Sequence, residues 1–124
     1  MAPLVTISDI DELSTRPGRR FIEVTQLVKD WNRDPSRRSL MVLEPPTSGS
    51  RAHRTAMAAI TRCLCMRDRV ALPTWVHDYG PLAEPVSLSG ESLDGPMGDF
   101  IRAYTPTLAS SLGVYFDRAL LDSR

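Results

Sequence analysis

The longest passage free of glycine and proline contains the segment from Arg51 to Val70, which constrains the fold more than any other part of the chain. Ser50 precedes this segment, and serine is among the residues that cap helix N-termini. The apolar residues of the segment recur at steps of three and four, so they share one face of a helix. We therefore predict a mostly α-helical fold around a central buried helix over about residues 51–69. The residues of its buried face are Ala56, Met57, Ile60, Cys63 and Leu64.

Two more helices are predicted upstream of the central one. The first runs from about Arg19 to Asn32, because its apolar residues form one amphipathic stripe. The second runs from Pro35 to Leu43, since Asp34 can cap it and proline is favoured at the first helical position. The stripe of the first consists of Phe21, Val24, Leu27, Val28 and Trp31. In the second we expect Leu40, Met41 and Leu43 to be buried.

Beyond the central helix, glycine and proline are frequent, and we predict an irregular segment from Asp78 to Gly98. Before it, Pro73 opens a short helical turn in which Trp75 anchors the chain on the core. β-Prone residues near Val86 and Val114 predict two short β segments.

The end of the chain contains further short elements. Met97 to Tyr104 fits either a short helix or a strand. A helix is predicted over Pro106 to Leu112, with Gly113 as its C-terminal stop. Asp117 is expected to cap a last turn.

The length of 124 residues predicts a single domain over residues 1–124, with residues 1–18 as a loosely packed N-terminal arm. No apolar run approaches the eighteen residues of a membrane span, and no leader sequence is apparent, so the expected location is the cytoplasm without membrane association. Cys63 and Cys65 project about 200° apart on a helix and cannot bridge, which fits a reducing compartment.

The zero net charge of the chain hides a polarity along its length. Residues 1–70 carry twelve basic and eight acidic residues, whereas residues 71–124 carry three basic and seven acidic ones. If the two halves pack together, these charges partly cancel, whereas if the halves face apart, the protein offers surfaces to oppositely charged partners. The acids expected to meet a basic partner are Asp78, Glu84, Glu91, Asp94 and Asp99.

No catalytic or metal-binding constellation is apparent, so we predict that the chain is not an enzyme and needs no cofactor. His53, Cys63, Cys65 and His77 could be counted as zinc ligands, but their spacing matches no standard zinc site. The cysteines lack the sequence signature of a catalytic nucleophile, and no glycine-rich phosphate loop is present. Buried cysteines that act as small apolar side chains explain this pattern better.

Several motifs along the chain, taken in order, resemble an uncharacterised actinobacterial family. Members of that family are often encoded beside nucleotidyltransferase-like or other toxin-like genes, so the resemblance implies an antitoxin or regulatory partner. It covers roughly residues 20 to 122. The motifs are Trp31 with Asp34-Pro35, the linker Glu44-Pro45-Pro46-Thr47-Ser48-Gly49, the segment Leu72-Pro73-Thr74-Trp75-Val76, Thr105-Pro106, and the closing stretch from Leu112 to Leu121.

Two functions therefore remain open from the sequence. The first is a protein-binding module that controls a cognate protein, such as a nucleotidyltransferase-like toxin, through the acidic C-terminal half. The alternative is a DNA-binding regulator in which Arg51, Arg54 and Arg62 of the central helix contact phosphates. The long proline-containing connection before that helix and the neutral overall charge weigh against DNA binding.

Overall fold

The structure is a computed structural model that describes residues 5–10, 19–47, 49–88 and 93–124. Its helices are α1 (Arg19–Arg33), α2 (Arg38–Met41), α3 (Arg51–Asp68), α4 (Gly95–Tyr104) and α5 (Thr107–Ser110). Two short strands, β1 (Val86–Ser87) and β2 (Val114–Tyr115), pair in parallel. Short 3₁₀ turns cover Ile7–Asp9, Pro35–Arg37, Thr74–Asp78 and Arg118–Asp122. The mostly helical fold and both predicted β segments are confirmed.

The predicted central helix is α3, and its ends follow local rules. At its start the Ser50 hydroxyl accepts a hydrogen bond from the His53 amide at 3.2 Å, as a capping serine should. At its end Arg69 adopts a left-handed conformation with φ of 58°, and the Val70 amide donates to the Cys65 carbonyl at 2.9 Å. The helix therefore ends just before Arg69, the residue with the left-handed backbone conformation.

The α3 helix is buried on more sides than its apolar stripe predicts. The five predicted core residues are buried, but so are polar residues outside the stripe, such as Thr55 and Thr61. This happens because α5, β2 and the turn Thr74–Asp78 all pack against it. Complete burial of side chains such as Ile60 and Leu64 contributes about 1.5–3 kcal/mol each.

The α1 helix covers the core with the predicted stripe. Val24, Leu27, Val28 and Trp31 are completely buried, while the side chain of Phe21 lies outside the part of the chain that the structure describes. The helix contacts α2 and the C-terminal turn Arg118–Asp122, so it connects the C-terminal residues to the N-terminal half.

The predicted helix from Pro35 to Leu43 is only partly correct. A 3₁₀ turn leads into the four-residue helix α2, and Met41 is buried as expected. Leu40 and Leu43 are instead 59% and 58% exposed, and Val42 is buried in their place. Because the helix ends at Met41, the side chains after it no longer follow helical spacing. The side chain of Val42 is therefore buried and that of Leu43 is exposed.

The N-terminal arm also differs from its expected loose packing in the part that is described. Ile7 and Ile10 are buried in the core. The Val5 amide donates to the Asp30 carboxylate at 3.2 Å. Nε2 of the His53 ring lies 3.2 Å from the Ile10 carbonyl oxygen. Because a carbonyl only accepts, that ring nitrogen carries the proton. Residues 5–10 are thus fastened to α1 and α3.

The predicted irregular segment from Asp78 to Gly98 is shorter than expected, since it contains β1 and the start of α4. Val86 is aligned with Val114 in the parallel strand pair. A parallel pair requires a long crossover, and here the crossover contains α4 and α5. Gly113 has a φ of 78° and its backbone lies close to Leu82, so glycine suits this position.

Trp75 anchors the turn Thr74–Asp78 as predicted. Its side chain is buried, and its indole nitrogen donates to the Val42 carbonyl at 2.9 Å. The ring also meets Tyr79 edge to face, with 6.3 Å between the ring centroids.

A polar network joins α1, α3 and the C-terminus around Asp68. The buried Trp31 indole donates to the Asp68 carboxylate at 2.6 Å, and Arg67 donates to the same carboxylate at 2.8 Å. Arg67 also donates to Asn32 at 2.6 Å and to the Leu121 carbonyl at 2.5 Å. The hydrogen bonds from Arg67 and Trp31, with the nearby positive charges, lower the pKa of Asp68 against the opposing effect of burial.

We predict that removal of this carboxylate charge destabilises the fold in a pH-dependent way. Asp68→Asn should lower the free energy of unfolding by about 1–3 kcal/mol at neutral pH, because hydrogen bonds to charged groups are strong. The pKa of Asp68 is lower in the folded chain than in the unfolded one. Its stabilisation is therefore present above the ordinary value of 3.8 and is lost as the pH falls through the folded pKa. Urea unfolding at both ends of this range measures the effect.

Asp122→Asn is the matched control for Asp68→Asn. Its carboxylate is 83% exposed and lies 3.8 Å from Arg67, so its removal should change stability little. Equal losses for the two variants, or a loss at Asp68 that does not depend on pH, would contradict the prediction.

Two threonines of α3 provide a second test of the packing. Thr55 and Thr61 are both completely buried, and the Thr61 hydroxyl donates to the Met57 carbonyl at 2.8 Å. The Thr55 hydroxyl has no hydrogen-bond partner among the described residues. Thr55→Val should therefore raise the free energy of unfolding by about 1 kcal/mol, whereas Thr61→Val should lower it by a similar amount. Urea unfolding of both variants measures these free energies. A change of the same sign in both would refute the assignment of a hydrogen bond to Thr61 and of none to Thr55.

Candidate protein-binding surface

The α4 helix is held at the surface of the fold by few of its own residues. Only Gly98 and Ile101 of α4 are buried. At its C-terminal end, the Thr105 hydroxyl donates to the Ile101 carbonyl at 2.6 Å and accepts from the Phe116 amide at 3.1 Å. At its N-terminal end, a side chain at Gly98 would collide with the backbone of Leu93, so the first turns of α4 lie against the residues that precede the helix. The rest of α4 is left facing outward.

The outward face of α4 is apolar. Met97, Phe100 and Tyr104 are spaced by three and four residues, so they form one stripe, which we call the α4 ridge. Their side chains are 58%, 46% and 46% exposed. The rings of Phe100 and Tyr104 pack together with 4.5 Å between centroids, which fixes their orientation. An ordered aromatic pair at the surface is typical of the residues that anchor protein interfaces.

The predicted acidic residues are exposed wherever the structure describes them. Asp94 and Asp99 lie at the start and on the side of α4, next to the α4 ridge. Asp78 ends the turn Thr74–Asp78, and Glu84 precedes β1. Within the described residues, Asp78, Glu84 and Asp99 lie in no ion pair. Glu91 lies outside the described residues.

The arginines of the alternative DNA-binding reading do not present one exposed row. Arg51 is exposed, but Arg54 is half-buried and donates to the Gly49 carbonyl at 3.2 Å. Arg62 is also half-buried, and its guanidinium donates a long hydrogen bond of 3.4 Å to the Val76 carbonyl. Two of the three guanidinium groups are therefore directed at backbone carbonyls of the fold itself.

Other arginines of the N-terminal half are directed inward as well. Arg38 donates to the Trp31 carbonyl at 2.9 Å, and its guanidinium lies over the Trp31 ring, 5.5 Å from the centroid. Arg38 and Arg67 both flank the carboxylate of Asp68. Across the described residues, the one ion pair between the two halves of the chain is that of Arg67 with Asp122, at 3.8 Å. Ion pairs between the halves in the described residues therefore neutralise little of the charge difference between the two halves.

A groove of about 560 Å³ lies beside the α4 ridge, between α3 and α5. We call it the α3–α5 groove. Met66 and Leu108 are the exposed apolar residues in it, at 56% and 38%. Arg118 borders it and donates through Nε to the Tyr104 carbonyl at 3.2 Å, which places the groove directly next to the end of α4. Its lining also includes Cys63, Arg67 and Leu121.

The cysteines and histidines do not form a reactive or metal-binding group. Cys63 and Cys65 are free and buried. Burial raises the pKa of Cys63 to about 12, and burial together with the negative charge of Asp68 raises that of Cys65 to about 11. His53 is buried, whereas His77 is exposed on the turn Thr74–Asp78. Among the described residues, no cluster of three or more side chains is suited to hold a metal ion.

Within the same residues, every helix is too short or too polar to cross a bilayer. No family model, curated protein or solved structure matches the chain. The assignment of a site therefore depends on the geometry of this chain.

The sequence pattern predicts a partner surface at the acidic residues, which stays a prediction, and it does not lead to the α4 ridge. The spacing of Met97, Phe100 and Tyr104 was readable once a helix is assumed. The same spacing, however, is equally typical of a buried helix face. The exposure of these residues depends on Ile101 and Thr105 being the residues that fasten α4 to the core.

We predict that both thiols are inert in the folded protein. With pKa values raised well above the ordinary 9.0, neither forms the thiolate at neutral pH, and both are shielded from reagents. Ellman's reagent should therefore react with neither thiol in the native chain at neutral pH and with both in concentrated urea. Rapid modification of either thiol in the native chain would contradict their placement.

Proposed function

We propose that this protein is a protein-binding module, an antitoxin-like or regulatory partner that controls a cognate protein through its acidic C-terminal half. One observation supports this proposal most directly. Asp78, Glu84, Asp94 and Asp99 of that half are exposed, while Arg38, Arg54, Arg62 and Arg67 of the other half donate hydrogen bonds within the fold. The charges that we assign to contact with a basic partner are therefore those of Asp78, Glu84, Asp94 and Asp99.

An acidic surface favours a basic partner in two ways. Complementary potentials accelerate association, and they disfavour partners of the wrong charge. Both effects operate through solvent, so they weaken as salt is added. The binding that we propose is consequently fast and salt-sensitive.

The class of partner follows from the resemblance to a family encoded beside toxin-like genes. A nucleotidyltransferase-like toxin must attract phosphates, so the surroundings of its active site are basic. An acidic module that covers such a site would keep nucleotides out. This mode of action needs no catalytic residue on the antitoxin.

The proposal is tested by capture followed by reconstitution. The tagged chain is incubated with nuclease-treated cytoplasmic extract, and a retained protein is identified, purified and titrated against the chain. Replacement of all five acids, as Asp78→Asn, Glu84→Gln, Glu91→Gln, Asp94→Asn and Asp99→Asn, should raise Kd by about tenfold or more and reduce its salt dependence. The loss should lie mainly in the association rate.

Glu44→Gln is the matched control, since it removes an exposed carboxylate from the N-terminal half. Its Kd should equal that of the wild type. Unchanged affinity of the five-acid variant would remove the electrostatic basis of the proposal. Recovery of nucleic acid alone, from an extract without nuclease, would favour the DNA-binding alternative instead.

A further inference from the structure

We propose that the chain forms a two-fold symmetric homodimer, in which the α4 ridge of each copy enters the α3–α5 groove of the other. The proposal is independent of the cognate partner, because both halves of the interface are present on this chain. It rests on an exposed apolar projection, an apolar depression beside it, and opposite charges on the two.

The projection is the α4 ridge. Met97, Phe100 and Tyr104 form a continuous apolar stripe on a ten-residue helix, and the two rings are held against each other. A helix that presents apolar residues at these spacings is suited to binding in a groove. Solvent exposure of the stripe is unfavourable, and covering it on association is favourable in proportion to the apolar area removed from water.

The depression is the α3–α5 groove. Met66 and Leu108 give it exposed apolar sides, and Leu121 and Cys63 are the buried residues of its lining. Methionine is unbranched and flexible, so Met66 can adapt to an aromatic ring. The volume of about 560 Å³ is sufficient for side chains of the size of Phe100 and Tyr104.

The two features are neighbours, which is what a two-fold interface requires. Arg118 borders the groove and binds the carbonyl of Tyr104, the last residue of the ridge. A two-fold axis that passes between a projection and an adjacent depression places each projection in the other copy's depression. The interface therefore contains two equivalent contacts, and in each of them a ridge and a groove cover each other's apolar residues.

The charges on the two features are complementary. Asp94 and Asp99 flank the ridge, whereas the arginine of the same helix, Arg102, lies over the Tyr115 ring, 5.0 Å from its centroid. The groove has Arg67, Asp122 and Arg118 at its border, and Arg67 is engaged by Asp68 and lies near Asp122. In the described residues Arg118 has no carboxylate partner, so it is the charge available to the acids of a second copy.

The first test is the mass of the purified chain in solution, measured by sedimentation over a concentration series. We expect a dimer of twice the 13.8 kDa chain mass that dissociates on dilution. Phe100→Ser with Tyr104→Ser should raise the dimer Kd about 30-fold or more, as expected for the loss of aromatic anchors. Because both rings are half exposed, the variant keeps its core, and an unchanged thermal melt of the diluted monomer verifies this.

Leu40→Ser with Leu43→Ser is the matched control. These leucines are as exposed as the ridge residues but belong to α2 and the segment after it, so the control should dimerise like the wild type. A wild type that stays monomeric at all concentrations overturns the proposal. A dimer that survives the loss of Phe100 and Tyr104, or is equally weakened by the control, also overturns it.

A charge exchange tests the pairing itself. The variant Asp94→Arg with Asp99→Arg should be monomeric, and so should Arg118→Asp, because each brings like charges together at both contacts. Mixed in equal amounts, the two variants should form a heterodimer, because arginine then meets aspartate at both contacts. A mixture that stays monomeric while the wild type dimerises would refute the proposed pairing of α4 with the groove.

Discussion

The hydrogen bond from the buried Trp31 indole to Asp68 is the interaction on which the arrangement of the helices depends. It joins the last turn of α1 to the last residue of α3, and Arg67 extends it to the C-terminal residues near Leu121. The half-buried carboxylate of Asp68 is stabilised by the positive charges of Arg67 and Arg38. The buried indole nitrogen of Trp31 requires a hydrogen-bond acceptor, which this carboxylate provides. Three distant parts of the chain are therefore fixed by one charged group.

That network also explains why the charge of the chain is distributed as it is. Arginines that would otherwise form a basic surface beside α3 are used to satisfy carbonyls and Asp68 within the fold. In the C-terminal half, Asp117 caps the last turn and Asp122 lies 3.8 Å from Arg67. Asp78, Glu84 and Asp99 lie in no ion pair among the described residues, and they remain at the surface. Asp94 and Asp99 are thus exposed at α4, and they are among the acids to which we assign partner binding.

The same helix is central to both proposals. The α4 helix is fastened through Ile101 and Thr105, so its remaining residues are available for contacts outside the fold. Aromatic anchors in the middle and charges at the border are the usual arrangement of an interface. Both proposals assign contacts to Asp94 and Asp99, so if both hold, a second copy and a cognate partner compete for α4.

Local spacing and capping in the sequence were sufficient to predict α1 and α3 with their ends, but not the extent of α2 or the helical state of α4. Ser50 and the stripes of α1 and α3 needed no tertiary information. Only the tertiary structure decided which apolar residues are covered: Leu40 and Leu43 are exposed although their pattern predicts burial, and the α4 ridge is exposed although its spacing would also suit a core. Periodicity specifies which residues share a face, whereas burial depends on what the rest of the chain places against that face. The hydrogen bonds that Arg62 and Arg67 donate to backbone carbonyls could not be predicted from the sequence. Their acceptors, Val76 and Leu121, come near these arginines only when the chain folds.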